Sequence, residues 1–113
     1  MKMKGESLDV SKLILSRTTE KEFMQHVIQA ARAFGWLVYH TYDSRRSGEG
    51  FPDLVLLKPP HLLFVELKSE KGTLSKEQTR WLNWLDEAGN EVRVWRPSHW
   101  PVIVHTLSAG FRM

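Results

Sequence analysis

Two stretches of the chain carry apolar residues at the spacing of an amphipathic helix. The first follows Thr19, which forms a capping-box pattern with Glu22, and it ends before Gly35. The second follows Ser75 and ends before Gly89. The apolar face of the first holds Phe23, Val27, Ala30, Ala31 and Phe34, and the inward face of the second holds Gln78, Trp81, Leu82 and Leu85. We therefore predict two amphipathic helices.

Four shorter segments are rich in aromatic and β-branched residues and predict strands: residues 36–42, 53–57, 62–68 and 91–95. Because Pro59 and Pro60 cannot continue a strand ladder, the second and third strands are predicted to form a hairpin with a short loop. The order helix, three strands, helix, strand predicts an α/β domain whose central mixed sheet is flanked by helices. From Ser98 onward two alternatives stay open, since the run at 102–104 favours a strand whereas a Ser98 cap and Leu107 suit a short helix.

The length, charge and composition of the chain limit the classes of protein to which it can belong. Its 113 residues predict one domain, which we divide into an arm at 1–18, a core at 19–97 and an extension at 98–113. Sixteen Lys and Arg against thirteen Asp and Glu give a net charge of +3, which permits a nucleic acid partner. The absence of cysteine excludes disulfides, cysteine-bound zinc and thiol catalysis. No apolar run is long enough for a membrane span or a signal peptide, so a cytoplasmic location is expected.

The predicted hairpin brings two acidic residues side by side. Asp53 and Glu66 lie equally far from the two prolines, so a symmetric hairpin pairs them with Cβ atoms about 5 Å apart. Lys68 lies two positions beyond Glu66 and shares that face of the sheet. Neighbouring carboxylates repel each other, and burying them without a partner costs several kcal/mol. Lys68 offsets part of this cost, a divalent cation offsets more, and oxygen ligands favour Mg²⁺ or Mn²⁺.

The helical phase adds two polar residues to this face. Glu20 lies one turn before the apolar stripe of the first helix and in line with it. Gln78 lies one turn before the apolar residues of the second helix. We therefore predict that the starts of both helices converge on the face that carries Asp53, Glu66 and Lys68.

Each of these residues also has a purely structural interpretation. The two carboxylates and Lys68 could form a salt-bridge cluster without a catalytic role. Glu20 could favour the dipole of its helix, and Gln78 could close a capping box, a role that is compatible with the functional one. Trp81 and Trp84 are expected to be core and dimer contacts rather than a platform for base stacking.

The order of these residues resembles the signature of the PD-(D/E)XK nucleases. That signature consists here of Gly50-Phe51-Pro52-Asp53 followed by Val65-Glu66-Leu67-Lys68. A wider pattern over residues 19–97 resembles the VRR-NUC branch of the superfamily, and it adds Ser44-Arg45-Arg46, Gly72, Ser75, Gln78 and Val94-Trp95-Arg96-Pro97. Stand-alone members of this branch, of phage or bacterial type, resemble Holliday-junction resolvases in fold and in dimerisation.

The resemblance implies a restriction-endonuclease-like core and a DNA endonuclease that depends on Mg²⁺ or Mn²⁺. It implies selection of branched or duplex DNA by structure rather than by sequence. A homodimer is expected, since one site cuts one strand. The alternative is a non-catalytic nucleic-acid-binding module that keeps the nuclease fold.

The resemblance also implies a role for each catalytic residue. Asp53 and Glu66 would hold the metal, with Glu20 and the main-chain carbonyl of Leu67 as further ligands. Lys68 would orient or deprotonate the attacking water and help to neutralise the scissile phosphate. Gln78, on the second helix, would position this lysine or a phosphate oxygen through its side-chain amide.

A second group of residues is expected to bind DNA. Ser44, Arg45 and Arg46 lie on the loop before the signature, and Lys71 lies after it. Contacts from such residues to phosphates supply affinity without sequence information. The two arginines could equally be ordinary solvated charges of an exposed loop.

Overall fold

The computed structural model describes residues 13–42 and 48–109 of the chain. Residues 13–17 are helical. The elements that follow are α1 (Glu20–Ala33), β1 (Leu37–His40), β2 (Leu54–Lys58), β3 (His61–Leu67), α2 (Lys76–Glu87), β4 (Glu91–Trp95), a 3₁₀ helix (Pro97–His99) and α3 (Trp100–Ala109). The predicted order of helices and strands is therefore confirmed. No helix in this described part is long and apolar enough to cross a membrane.

The four strands form one mixed sheet, as predicted, and they lie in it in chain order. Strands β1, β2 and β3 pair in antiparallel fashion, and β4 runs parallel to β3. In the hairpin of β2 and β3, Leu54 faces Val65, which is the symmetric register predicted from the two prolines. Asp53 comes directly before Leu54, and Glu66 comes directly after Val65, so the two acidic residues lie next to each other just beyond this pair. The hairpin thus aligns the two acidic residues at its open end.

Helix α1 begins and ends where its capping residues predict. The Thr19 hydroxyl accepts a hydrogen bond from the Glu22 N–H, and the Glu22 carboxylate accepts one from the Thr19 N–H, both at 3.0 Å. After the helix, Gly35 adopts a φ of 91°, a conformation that glycine reaches without strain. Phe23, Val27 and other side chains of the inner helix face pack on one face of the sheet.

This face of the sheet carries the hydrophobic core. Its strand residues are fully buried: Leu54, Leu56, Leu63, Val65 and Leu67. Burial of each such side chain stabilises the fold by about 1.5–3 kcal/mol relative to exposure. The core therefore holds β2 and β3, and with them the open end of the hairpin, in a fixed position.

The segment after β4 is a helix, which decides between the two alternatives for the end of the chain. The β-branched run at 102–104 favours a strand by propensity alone. However, Ile103 and Leu107 lie one turn apart and are both fully buried in the core. The Trp36 Nε1–H donates a hydrogen bond of 2.9 Å to the carbonyl oxygen of Leu107. Tertiary packing thus outweighs the local preference.

Among residues 13–42 and 48–109, only α2 covers the opposite face of the sheet, and it does so in part. The Phe51 ring contacts the rings of Phe64 and Trp81 edge to face, with centroids 6.2 and 5.1 Å away, and thereby links β3 to α2. Away from the helix, this face exposes a row of neighbouring side chains across three strands: Leu37, Leu57 and Leu62, which are 70%, 37% and 40% exposed. Asp53 and Glu66 lie at the other end of this partly covered face.

Candidate active site

Two carboxyl groups lie together at the open end of the hairpin. The main-chain carbonyl of Asp53 accepts a hydrogen bond of 2.9 Å from the Thr41 N–H, which fixes the bend before β2. The Oδ2 atom of Asp53 accepts another, of 2.8 Å, from the Leu67 N–H. Glu66 is 2% exposed, and its carboxyl group lies close enough to that of Asp53 for the two charges to interact. The structure thus brings together the two acidic residues that the predicted register pairs.

The surroundings of this pair disfavour the charged form of both carboxyl groups. Burial raises the pKa of Glu66 to about 8, and the negative charge of Asp53 adds to the shift. Burial also raises the pKa of Asp53, although the hydrogen bond from the Leu67 N–H opposes that rise. The Oε1 atom of Glu66 is buried, and no donor reaches it within the described part of the chain. At neutral pH, full ionisation of both carboxyl groups is therefore disfavoured, and a proton or a positive charge close to them would relieve this cost.

A buried ammonium group faces the carboxylates. The Nζ atom of Lys68 lies 3.9 Å from Oε2 of Glu66 and 3.9 Å from Oε2 of Glu20. The Lys68 side chain is 11% exposed, whereas that of Glu20 is 48% exposed. Glu20 therefore approaches the site from the first turn of α1 and contacts Lys68. Over residues 13–42 and 48–109, no three acidic or histidine side chains lie close enough to hold a metal ion by themselves.

Gln78 caps its helix and also contacts the carboxylate pair, whereas its predicted action on Lys68 or on a phosphate oxygen stays a prediction. Its Oε1 atom accepts a hydrogen bond of 2.8 Å from the Ser75 N–H, and its own N–H donates one of 3.1 Å to the Ser75 hydroxyl. These two bonds form the capping box of α2. Its Nε2–H group donates a hydrogen bond of 2.9 Å to Oε2 of Glu66. The start of α2 is thus fixed to the carboxylate pair by the same side chain that caps the helix.

The loop between β3 and α2 lies beside Lys68 and Glu20, and hydrogen bonds from Arg96 hold it there. A Cβ atom added to Gly72 would lie 2.9 Å from the Ser69 hydroxyl and 3.3 Å from Oε2 of Glu20, so a side chain at this position would displace these two groups. Arg96, at the end of β4, donates hydrogen bonds of 2.7 Å to the carbonyl oxygens of both Ser69 and Gly72. The position of Arg96 in the family pattern was visible in the sequence, but this role was not, because it depends on a contact between distant segments.

A second glycine fits α2 against the segment before Asp53. Gly50 has a φ of 90°, and a Cβ atom there would lie 2.6–2.7 Å from the backbone of Glu77. The Trp81 Nε1–H donates a hydrogen bond of 3.1 Å to the carbonyl oxygen of Glu49. Trp81 and Trp84 are expected to be core and dimer contacts, and the core assignment is wrong because these residues are 37% and 63% exposed, whereas contact in a dimer stays a prediction. Helical spacing identified their face of α2 but not how far the sheet would cover it.

Of the four predicted DNA-binding residues, only Lys71 lies in the described part of the chain. Lys71 is exposed on the loop between β3 and α2, close in sequence to Lys68 and Gly72. Ser44, Arg45 and Arg46 lie outside the described residues, as does most of the predicted arm. Their roles in binding DNA, like the division of the chain at residues 18 and 97, stay predictions.

The donors at the site fit a hard divalent cation. Asp53 and Glu66 offer carboxylate oxygens from one face of the sheet, and Oε1 of Glu66 has no donor of its own. Mg²⁺ is held in proteins by one or two carboxylates, and it completes its coordination with water and substrate phosphates. The buried carboxylate of Glu66 and the half-buried one of Asp53 would therefore suffice for such an ion, with the main-chain carbonyl of Leu67 and the exposed carboxylate of Glu20 as further candidate ligands.

A scan of family models decides the family. The model of the VRR-NUC domain matches residues 6–98, which is most of the chain. The chain belongs to the VRR-NUC family. This family is a PD-(D/E)XK-like nuclease family, so the chain is a nuclease domain and DNA is implied as its substrate.

Two solved structures are similar to this VRR-NUC chain. One, described as a VRR_NUC domain, has 26% sequence identity and a TM-score of 0.60, over 68% of this chain and 83% of its own. Another, described as a VRR_NUC domain protein, has 19% identity and a TM-score of 0.55, over 69% of this chain and 77% of its own. Among curated proteins, none matches the chain in sequence. The resemblance to the VRR-NUC family and the predicted fold are thus confirmed.

Proposed function

We propose that this VRR-NUC chain is a DNA endonuclease that depends on Mg²⁺ or Mn²⁺. The observation that carries the proposal is the carboxylate pair of Asp53 and Glu66, of which Glu66 is buried and Asp53 is half-buried. Their mutual repulsion and the unpartnered Oε1 of Glu66 leave a place for positive charge that Lys68, at 3.9 Å from Oε2, does not fill. A salt-bridge cluster built for stability would be expected to satisfy that oxygen.

In this proposal Asp53 and Glu66 hold the cation, and the Leu67 carbonyl and Glu20 add ligands directly or through water. When bound, the cation supplies a positive charge that activates a water molecule and stabilises the charge on the phosphate in the transition state. The protein fixes the donors in advance. The Leu67 N–H holds Oδ2 of Asp53, and the amide of Gln78 holds Oε2 of Glu66.

Lys68 is proposed as the residue that orients the attacking water and neutralises the scissile phosphate. Its side chain is nearly buried, and its ammonium group is held between Glu66 and Glu20 at equal distances of 3.9 Å. A positioned ammonium group next to the cleavage point stabilises developing negative charge without reorganisation during the reaction. Gln78 acts on this arrangement through Glu66 and is a positioning residue.

We propose that the chain selects DNA by structure, because a protein that recognises a base sequence needs an element that reaches base edges in a groove. The described residues contain no helix or strand for that purpose beyond the sheet and the helices beside it. Contacts with phosphates and with the shape of a branched or duplex DNA would then determine where the chain binds.

We also infer that the chain acts as a homodimer through the bare end of its sheet. Leu37, Leu57 and Leu62 form a continuous exposed row across β1, β2 and β3. Contiguous exposed apolar surface of this kind marks interaction sites. A second copy is the proposed partner because one site cuts one strand, whereas a branched substrate offers two. Sedimentation of Leu37→Lys as a monomer, with the parent chain as a dimer, is the expected result; a monomeric parent chain at micromolar concentration would contradict it.

The proposed activity is tested by cleavage of labelled branched, duplex and single-stranded DNA in Mn²⁺. Asp53→Asn and Lys68→Ala are expected to lose activity by at least about a hundredfold, as when one electrostatic group of a catalytic site is removed. Glu87→Gln makes the same acid-to-amide change at an exposed position at the end of α2 and should leave the activity unchanged.

Two outcomes would contradict the proposal. Equal cleavage by the parent chain and by both site variants would remove Asp53 and Lys68 from the chemistry. Binding of DNA without cleavage of any substrate, in Mg²⁺ and in Mn²⁺, would favour the non-catalytic binding module.

A further inference from the structure

The outer face of α2 carries an exposed tryptophan that the proposed chemistry does not use. Trp84 is 63% exposed, and the guanidinium carbon of Arg80 lies 5.4 Å from the centroid of its ring. Together with Glu77 and Trp81 these residues line a shallow pocket of about 290 Å³. An exposed cation–π contact stabilises a helix by only about 0.5–1 kcal/mol, so it does not by itself account for a tryptophan left in water.

The base of this pocket is rigid. The indole of Trp81 is held from one side by the hydrogen bond to the Glu49 carbonyl oxygen, at 3.1 Å. From another side it packs edge to face on Phe51, with ring centroids 5.1 Å apart. Phe51 lies two residues before Asp53. The pocket is therefore connected by direct contacts to the segment that carries the first candidate catalytic residue.

The pocket is also close to the active site along α2. Gln78, which contacts Glu66, and Trp84 are on the same helix, and the rise of 1.5 Å per residue places them about 9 Å apart along its axis. Successive nucleotides of a strand in duplex DNA are spaced by about 3.4 Å along the helix axis. If the strand cut at the carboxylate pair runs along α2, a nucleotide two or three positions away lies at the level of Trp84.

The geometry points to Trp84 and Arg80 as a stacking site for an unpaired base of the DNA substrate, which rests on the proposed function. The indole supplies a face for stacking that accepts any base, and Arg80 adds a planar cation beside it. Glu77 in the same pocket makes it unsuited to a phosphate, because the carboxylate would repel it. A base, by contrast, has N–H groups that can donate a hydrogen bond to a carboxylate when the base is unpaired.

A protein partner fits this face less well. A specific protein interface buries about 800 Å² on each partner, whereas a wholly buried tryptophan accounts for at most about 250 Å². The exposed residues around Trp84 on α2 are polar: Lys76, Thr79, Asn83, Asp86 and Glu87. The apolar area is thus too small and too isolated for a stable protein contact, but it matches the area of one base.

The test measures binding of a fluorescent oligodeoxythymidine and of a duplex of equal length, with EDTA present so that no cleavage can occur. Trp84→Ala is expected to weaken binding of the single strand by about 5- to 150-fold, and binding of the duplex by less than about twofold. Trp84→Phe should restore most of the affinity. Because no phosphate contact is removed, the salt dependence of binding should keep its slope in Trp84→Ala.

Val102→Ala is the matched control, since it shortens an apolar side chain on α3 that is 61% exposed. It should leave both affinities unchanged, and the thermal unfolding of each variant shows whether the fold is intact. Equal weakening of single strand and duplex by Trp84→Ala, or no weakening, would overturn the stacking site. So would a change in oligomeric state with unchanged DNA binding, which would reveal a protein contact.

This experiment separates the stacking site from the proposed nuclease activity. A chain that binds single strands through Trp84 but cleaves no DNA with Mn²⁺ supports the stacking site and contradicts the proposed activity. A chain that cleaves DNA but binds single strands equally well without Trp84 supports the activity and contradicts the stacking site.

Discussion

The replacement of Glu66 by glutamine separates the electrostatic cost of the buried charge from the packing of the side chain. Glutamine has nearly the shape of glutamate, and it can still accept the hydrogen bond from Gln78. It removes the negative charge that burial and Asp53 disfavour. Its amide group can also donate a hydrogen bond to the carboxylate of Asp53, which Glu66 can do only when protonated. Without a metal ion, Glu66→Gln is therefore expected to be more stable than the parent chain at alkaline pH.

The magnitude follows from the shifted pKa of Glu66. This carboxyl group ionises near pH 4.5 in the unfolded chain and near pH 8 in the folded chain. Between these values the folded chain holds a proton that the unfolded chain has lost, so the free energy of unfolding is highest below pH 4.5 and falls as the pH rises to about 8. At 1.36 kcal/mol per pH unit, the loss has an upper bound of about 5 kcal/mol, and we expect ~2–5 kcal/mol.

Urea unfolding in EDTA, at about pH 5 and about pH 8, measures this difference. Between these two pH values, which are about three units apart, the free energy of unfolding of the parent chain should fall by ~2–4 kcal/mol more than that of Glu66→Gln. Glu87→Gln, at an exposed position, should behave like the parent chain. Mn²⁺ at a hundred times its dissociation constant should restore about 2.7 kcal/mol to the parent chain at the higher pH, and less to Glu66→Gln. The same pH dependence in the parent chain and in Glu66→Gln would refute this reasoning.

Three further predictions concern the surroundings of the site. Gly50→Ala should lower the free energy of unfolding by about 2 kcal/mol or more, because its Cβ atom would overlap the Glu77 backbone; Gly89→Ala, with a φ of 93° but open space around it, should cost about 1 kcal/mol. Arg96→Met should lower the free energy of unfolding by about 1–3 kcal/mol and reduce the rate of DNA cleavage, and no change in either quantity would contradict its role as a clamp. Calorimetric titration with Mn²⁺ should show affinity rising by up to about tenfold per pH unit below pH 8, since the cation displaces the proton on Glu66, whereas constant affinity would contradict that competition.

Much of the fold was predictable because it is encoded by local signals. The two capping boxes, at Thr19 and Ser75, marked the helix starts, and the structure contains both. The two prolines at the hairpin loop determined the pairing of β2 with β3. The end of the chain was not predictable, since burial of Ile103 and Leu107 against distant residues decides the conformation there.

The candidate site was predictable in part, for a similar reason. The register of the hairpin and the phase of α2 suffice to bring Gln78 to Glu66, at 2.9 Å. The contacts of Arg96 with the carbonyl oxygens of another loop depend on how β4 ends beside that loop. The exposure of Trp84 depends on how far α2 covers the sheet. Neither property has a signal in the spacing of residues along the chain.

The binding of a divalent cation by Asp53 and Glu66 is tested most directly in a crystal of the parent chain. Crystals are soaked in MnCl₂ at about pH 8, where Glu66 can ionise, and anomalous difference density locates the manganese. We predict a peak between the two carboxyl groups, with Oε1 of Glu66 among its ligands, and no such peak in crystals of Asp53→Asn. A carboxylate pair without manganese in the parent chain, or a peak that Asp53→Asn retains, would contradict the account.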